Sequence, residues 1–164
     1  MPLVSVVMTS YNHEKFISEA IESVLNQTFK DLELIVVDDN SGDRSRVIIE
    51  EFAKKDERIR KIFHQKNCGI AKTANDGLRN SNGKFIAFIA SDDLWMEDKL
   101  EKQFKILERD EDLIVWCNSA IIDDDSEFTG EKSSEKYKNA TSQGYVFDQI
   151  GNPGIYDLIK NIPL

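Results

Sequence analysis

Cysteine and histidine are scarce in this chain, with two of each in 164 residues. Cys68 and Cys117 form neither a disulfide framework nor a zinc spacing, so two reduced, partly buried thiols are expected. His13 and His64 have no partner close in sequence, and neither alone reads as a metal ligand or catalytic base. No apolar run approaches the ~20 residues needed to span a bilayer, so no transmembrane segment is expected. Met1-Pro-Leu-Val-Ser5 enters an apolar run with no basic region before it, unlike a signal peptide. Cytoplasmic residence is the default expectation, with any membrane association supplied by partners or by a longer parent protein. Basic charge is also short. With 21 Lys and Arg against 30 Asp and Glu, the net charge is −9. That argues against nonspecific nucleic-acid binding, which needs a basic surface to displace counterions. Neither G-x-G-x-x-G nor G-x-x-x-x-G-K-[ST] occurs, so these two phosphate-seating loops are missing as well.

What is present is a regular alternation. With 40% hydrophobic and 31% charged residues, the composition is that of a soluble globular protein with one substantial core. Val4–Thr9 reads as a first strand. A helix follows with Phe16, Ile17, Ala20, Ile21, Val24 and Leu25 at helical spacing and Asn12 as its expected N-cap. Leu32–Val37 is nearly continuous in apolar residues, as a strand buried on both faces should be. A helix opening at Ser41-Gly-Asp43 should then bury Val47, Ile48, Phe52 and Ala53. Ile59–Phe63 reads as a weaker strand, followed by the turn Asn67-Cys-Gly69 and a helix carrying Ile70, Ala74 and Leu78. Phe85–Ala90 is the most apolar strand. Met96, Leu100, Phe104 and Leu107 mark a fourth helix, and Leu113–Ile122 a fifth strand. This order predicts an α/β fold with an open, mostly parallel, Rossmann-like sheet and helices on both faces. Beyond residue 122 an acidic loop or hairpin is expected, then a helical patch from Gly144 broken by Gly151-Asn-Pro-Gly154.

Two doubled aspartates stand where apolar strands run out. Asp38-Asp39 closes Leu32-Glu-Leu-Ile-Val-Val37, and Asp92-Asp93 follows Phe85-Ile-Ala-Phe-Ile-Ala-Ser91. In an open α/β sheet, ligands bind beyond the carboxyl ends of the strands. Adjacent carboxylates repel and resist desolvation, so a bound cation or donor would offset their placement there. One acid of Asp92-Asp93 could hold a divalent cation on a diphosphate while the other takes sugar hydroxyls. The plainer alternative is N-capping of the helix expected near Trp95. Asp38, Asn40 or Ser41 could likewise cap the second helix, which leaves at least one aspartate of the first pair for an imide N–H or ribose hydroxyls. Thr9-Ser-Tyr-Asn12 should line the same mouth. Tyr11 is either a stacking platform, worth about 1–3 kcal/mol per base, or a packing residue. Asn67-Cys-Gly69 is a weak candidate for turning backbone N–H groups toward an anion. The triple Asp123-Asp-Asp125 reads as a solvated acidic turn.

Taken in order, Val4-Ser-Val-Val-Met-Thr-Ser-Tyr-Asn12, Ile21-Glu-Ser-Val-Leu-Asn-Gln-Thr-Phe29, Leu34-Ile-Val-Val-Asp-Asp-Asn-Ser41 and Gly83-Lys-Phe-Ile-Ala-Phe-Ile-Ala-Ser-Asp-Asp93 resemble the start of family 2 inverting glycosyltransferases. Asn67-x-Gly69 and Asn75-x-Gly77 continue the likeness, which covers about residues 3 to 122. The resemblance implies the GT-A fold of nucleotide-diphospho-sugar transferases. It also implies that residues 1–122 bind the donor, a UDP-sugar or dTDP-sugar, and that 123–164 hold an acidic loop and the start of an acceptor part. Carried over by position, Thr9, Tyr11 and Asp39 would hold the nucleoside. Asp92 would contact the ribose or donor sugar, and Asp93 would ligate Mn2+ or Mg2+. The acceptor would be a saccharide or lipid-linked hydroxyl that attacks the anomeric carbon of the donor sugar with inversion, in polysaccharide or cell-envelope glycan synthesis, the nucleoside diphosphate leaving.

Two departures follow from the same comparison of motifs. Many relatives carry Arg where this chain has Ala74, and nearby Lys72 is the candidate substitute. The family's general base lies in the acceptor half, and Asp148 and Asp157 do not match its position, so the base is expected beyond Leu164. A non-catalytic nucleotide-sugar binding module is the alternative reading. A phosphoacceptor signalling domain fits less well, because the first strand ends in Thr9-Ser-Tyr11 and not in a doubled acid.

Overall fold

The computed structural model of the protein describes residues 1–115, 117 and 119–132. The chain divides into two compact units, residues 1–102 and 103–164. In the first, strands β1 (Val4–Ser10), β2 (Leu32–Asp38), β3 (Ile59–Phe63) and β4 (Phe85–Ala90) form one parallel sheet in the order β3-β2-β1-β4. Helices α1 (Ile17–Leu25), α2 (Ser45–Lys55) and α3 (Ile70–Arg79) make the crossovers, and α4 (Lys99–Leu107) follows β4.

Alternation along the strands separates two packed faces. Val4, Val6 and Met8 of β1 and Leu32, Leu34 and Val36 of β2 meet Ile17, Ala20, Ile21 and Val24 of α1, Ile49 of α2 and Leu100. On the opposite face α3 lies directly on the sheet at Gly77, where an added Cβ would stand 2.4 Å from Val7 Cγ1 and 3.2 Å from Val37 Cγ2. Every residue of β2 is buried, which accounts for its unbroken apolar character. The expected α/β sheet with helices on both faces is present.

The helix faces differ in detail from the periodicity reading. Asn12 does not cap α1. It adopts φ 56°, and its Oδ1 accepts the Gly42 N–H at 2.8 Å. α2 begins at Ser45 instead of Ser41 because Asp38 turns residues 39–41 into a tight loop; Val47 is exposed and Ile49 is buried in its place. In α3, Ile70 and Leu78 are exposed, and the inner face is Thr73 and Gly77. Met96 precedes α4 and is 79% exposed. β4, the most apolar strand, is a sheet edge among the described residues, and Phe88 is 55% exposed.

Among the described residues the fifth strand is shorter than expected and joins no parallel sheet: Ala120–Ile122 (β5) pairs antiparallel with β6 (Phe128–Lys132). The acidic segment between them is the hairpin turn, where Asp123 Oδ1 accepts the N–H groups of Asp125 and Glu127 at 3.0 Å each. The helical patch expected from Gly144, with Asp148 and Asp157, lies outside the described residues. No described helix is long and apolar enough to cross a membrane.

Candidate functional site

At the amino ends of the strands a buried polar cluster fixes the sheet. Glu33 accepts Ser5 Oγ at 2.6 Å, the Asn82 N–H at 2.7 Å and Arg60 Nη1 at 3.2 Å. Burial alone would raise this carboxyl, but the donors from Ser5, Asn82 and Arg60 outweigh it and hold it below the usual range. Ser5 Oγ in turn accepts the Gly83 N–H at 2.7 Å, tying down the turn into β4.

The carboxyl ends carry the candidate site. Backbone pairing runs one residue past β2, β4 and β3: Asp39 N–H donates to Ser10 O, Ser91 N–H to Thr9 O and His64 N–H to Asp38 O, at 2.9, 3.1 and 2.9 Å. In register Thr9 stands level with Val37 and Ala90, and Asp39 and His64 follow directly on the paired Asp38 and Phe63. Because β1 separates β2 from β4, Asp39 and Asp92 are two strand spacings apart, roughly 10 Å. Tyr11 lies just past β1 and is 47% exposed.

The first aspartate pair divides its labour. Asp38 is fully buried, paired with Arg46 Nε at 2.6 Å and accepting the Ser41 N–H at 3.0 Å. Its second oxygen accepts the Ser41 hydroxyl, and the Arg46 guanidinium also donates to His64 O. This is loop construction, not capping; α2 has no side-chain cap from its N-cap residue Arg44. Asp39 turns the other way. Its Oδ1 receives His64 Nδ1 and the Cys68 N–H at 2.8 Å each, and its Oδ2 receives the Gly69 N–H at 2.7 Å. Burial would raise the Asp39 carboxyl, but His64 and these two N–H groups outweigh it and keep it below the usual range. The anion that Asn67-Cys-Gly69 cradles is thus the Asp39 carboxylate itself. One lone pair of Oδ2 remains without a donor among the described residues.

The histidines are not alone. His64 Nε2 meets Asp76 Oδ2 at 3.0 Å, so the ring bridges two carboxylates. Asp76 also pairs with Lys72 and with Arg79 Nη1 at 3.1 Å. The Lys72 ammonium, acting against burial, is the main cause that keeps the Asp76 carboxyl low. Lys72 therefore joins the site through Asp76. His13 Nδ1 lies 2.8 Å from Ser91 Oγ and 3.6 Å from Asp92 Oδ1. Sequence distance hid these partners: 25 residues separate His64 from Asp39 and 78 separate His13 from Ser91. A strand-end rule applied to β3 would have flagged His64.

Asp92 and Asp93 lie in the turn after β4, well before α4 begins at Lys99. Helix capping near Trp95 is thereby removed as their role. Both are exposed. Partial desolvation at the strand end, joined by the Asp92 charge, pushes the Asp93 carboxyl up. Behind them, buried Gln27 clamps the segment that follows. Its Nε2 donates to Ser23 O at 3.0 Å and Met96 O at 2.8 Å, and its Oε1 accepts the Leu100 N–H at 3.0 Å. The thiols are both free, Cys68 partly buried and Cys117 exposed, the latter against expectation.

Residues 5–158 match the model of glycosyl transferase family 2. Over 124 residues the chain is 40% identical to the Escherichia coli UDP-Glc:alpha-D-GlcNAc-diphosphoundecaprenol beta-1,3-glucosyltransferase WfgD, covering 76% of this chain and 48% of the relative. S. aureus TarS 1-349 in complex with UDP superposes with a TM-score of 0.62 at 30% identity, over 68% of this chain and 33% of that one. The mannosyltransferase PcManGT from Pyrobaculum calidifontis, in complex with GDP-Man and Mn2+, gives 0.61 at 26% identity, over 65% and 32%. The chain spans about half or less of the length of the curated relatives it matches.

Proposed function

The chain belongs to glycosyl transferase family 2, and we propose that residues 1–122 are its nucleotide-sugar donor part, with 123–164 beginning an acceptor part. The reaction proposed is transfer of a sugar from a UDP-sugar, or next a dTDP-sugar, to a hydroxyl of a saccharide or lipid-linked acceptor. It proceeds by single displacement with inversion, in cell-envelope glycan synthesis. The observation that carries this reading is the placement of Tyr11, Asp39 and Asp92-Asp93 just past the carboxyl ends of three adjacent parallel strands.

Each group has a task that its surroundings support. The remaining Oδ2 lone pair of Asp39 accepts one imide N–H, which uracil and thymine both present. A buried carboxylate held ionised by His64 and two N–H groups is a fixed acceptor with no proton to offer. Tyr11 lays its exposed ring on the base, and Thr9 closes the floor between the two aspartate sites. Lys72 stands in for the arginine missing at Ala74, at the rim of the base pocket. Asp92 takes ribose or sugar hydroxyls.

Asp93 is the proposed ligand of Mg2+ or Mn2+. The fit rests on the charge pair: two adjacent carboxylates, one of them pushed up, are relieved by a cation, and oxygen-only ligands suit these hard ions. When bound, the ion would supply charge stabilisation for the departing nucleoside diphosphate. The general base is assigned to no residue of this chain.

Calorimetry with UDP, with and without Mn2+, tests the proposal. Losing one hydrogen bond to a charged group costs about 1.5–3 kcal/mol, so Asp39→Ala should weaken UDP roughly ten- to a hundredfold. Binding indifferent to both the metal and Asp39 would overturn it.

A further inference from the structure

Among the described residues one group of three metal-ligating side chains comes together, and its chemistry differs from that of the aspartate pair beyond β4. A carboxylate oxygen of Asp39, a ring nitrogen of His64 and Sγ of Cys68 all lie within 4.8 Å of one another. The three come from the end of β2, the residue after β3 and the loop before α3. Nothing in the spacing 39, 64, 68 suggests a metal motif; the parallel register creates the cluster. Tetrahedral bonds of about 2.0–2.3 Å put ligand atoms on the order of 3.3–3.8 Å apart. Closing the set therefore needs a side-chain movement of about an ångström, and Cys68 has the freedom to make it. Its thiol is free and engages only Lys66 O, at 3.3 Å, among the described contacts.

A second observation points the same way. Metal-ligating histidines donate their other ring N–H to a carboxylate, which fixes the ring and raises its basicity. His64 already has that arrangement: Nε2 lies 3.0 Å from Asp76 Oδ2, leaving Nδ1 directed at Asp39. Asp76 is itself held by Lys72 and Arg79. The ring is thus oriented before any ion arrives.

We infer that Asp39, His64 and Cys68 form a second cation site, selective for thiophilic divalent ions of the zinc class, with Asp76 as the outer carboxylate. A mixed oxygen, imidazole and thiolate set suits zinc-like ions, whereas Mg2+ and Mn2+ prefer the all-oxygen pair Asp92-Asp93. On binding, the Cys68 thiol and the Nδ1–H of His64 release their protons to solvent. The ion then holds the Asp39 carboxylate that would face the base. That consequence rests on the nucleotide reading above, and it makes zinc-class ions antagonists of the nucleotide where Mg2+ or Mn2+ would support it.

Co2+ is the probe, titrated into the 164-residue chain carrying Cys117→Ser, without nucleotide or phosphate. The expected result is a near-ultraviolet thiolate-to-cobalt band that saturates at a single equivalent. It should vanish with Cys68→Ser, yield to Zn2+ and survive roughly a hundredfold excess of Mg2+. Asp76→Asn should weaken cobalt roughly ten- to a hundredfold while leaving the band itself intact. No band, a band that persists in Cys68→Ser, or a band bleached by Mg2+ would overturn the site. UDP with Mg2+ should displace the cobalt. A band that meets every other expectation yet persists under saturating UDP upholds the cation site and removes Asp39 as the base acceptor.

Discussion

The side chains of Asp38 and Asp39 leave β2 in opposite directions. Asp38 turns toward α2 and is consumed by Arg46 and Ser41. Asp39 turns toward the start of α3, where Gly69 and Cys68 donate to it. One pair of like charges is thereby split across the thickness of the sheet, each half with its own counter-groups. Asp92 and Asp93 have no such separation, and their mutual charge remains.

Desolvation of Asp93, joined by that residual repulsion, predicts opposite effects on stability and on cation binding. The Asp93 carboxyl is raised above its ordinary value. Its contribution to stability is therefore complete below the unfolded pKa and lost as pH rises through the folded one. At neutral pH Asp93→Asn should raise the thermal midpoint of the metal-free protein and abolish the rise that Mn2+ gives the parent chain. Melting curves with and without Mn2+ check both. A lowered metal-free midpoint would contradict a raised Asp93 carboxyl.

The Glu33 cluster predicts acid sensitivity of the reverse sign. Its carboxyl is lowered, so the stability it contributes is present above the unfolded pKa and is lost as pH falls through the folded value. Glu33→Gln should flatten the loss of stability on the acid side. At neutral pH it should cost roughly 1.5–3 kcal/mol, the worth of hydrogen bonds to a charged group. Denaturant unfolding at a series of pH values reads both.

Gly77 should be intolerant of a single methyl group. A Cβ there would sit 2.4 Å from Val7 Cγ1, and overpacking of this kind costs about 1–3 kcal/mol. Pairing Gly77→Ala with Val7→Ala should recover part of the loss, giving a favourable coupling in a double-mutant cycle measured by denaturant unfolding. Simple additivity would show that α3 moves off the sheet instead.

Gln27 links α1 to the segment after the second aspartate pair. Gln27→Ala leaves the Leu100 N–H and Met96 O without their buried partner, a loss of about 1–3 kcal/mol. Hydrogen exchange should quicken at Leu100 while the β1 and β2 amides stay protected. Uniform acceleration would show global unfolding instead.

The sheet was legible in the sequence because strands buried on both faces carry continuous apolar runs, and β2 shows this plainly. The helix faces were less legible. α3 meets the sheet through Thr73 and Gly77, so its contact stripe is small and polar and the hydrophobic pattern points away from it. The fifth strand differs for a related reason: Leu113–Ile122 is apolar enough to be extended, but among its described residues only Ala120–Ile122 finds a strand partner. In the site, residues adjacent in sequence and rich in charge were found. His64, Asp76 and Gln27 were not, because their roles arise from side chains brought together across strands and helices.

The two ends of the sheet hold different responsibilities. Glu33 lies on β2 and Asp39 directly past its end, six residues further on, about 20 Å along an extended chain. Substitutions separated by more than about 10 Å with no shared partner usually add independently. Loops beyond the carboxyl ends can therefore be redesigned for another ligand while the Glu33 anchor keeps the framework in register. A library confined to residues 9–12, 39–41 and 91–94 would explore recognition on a scaffold whose foundation lies at its other end.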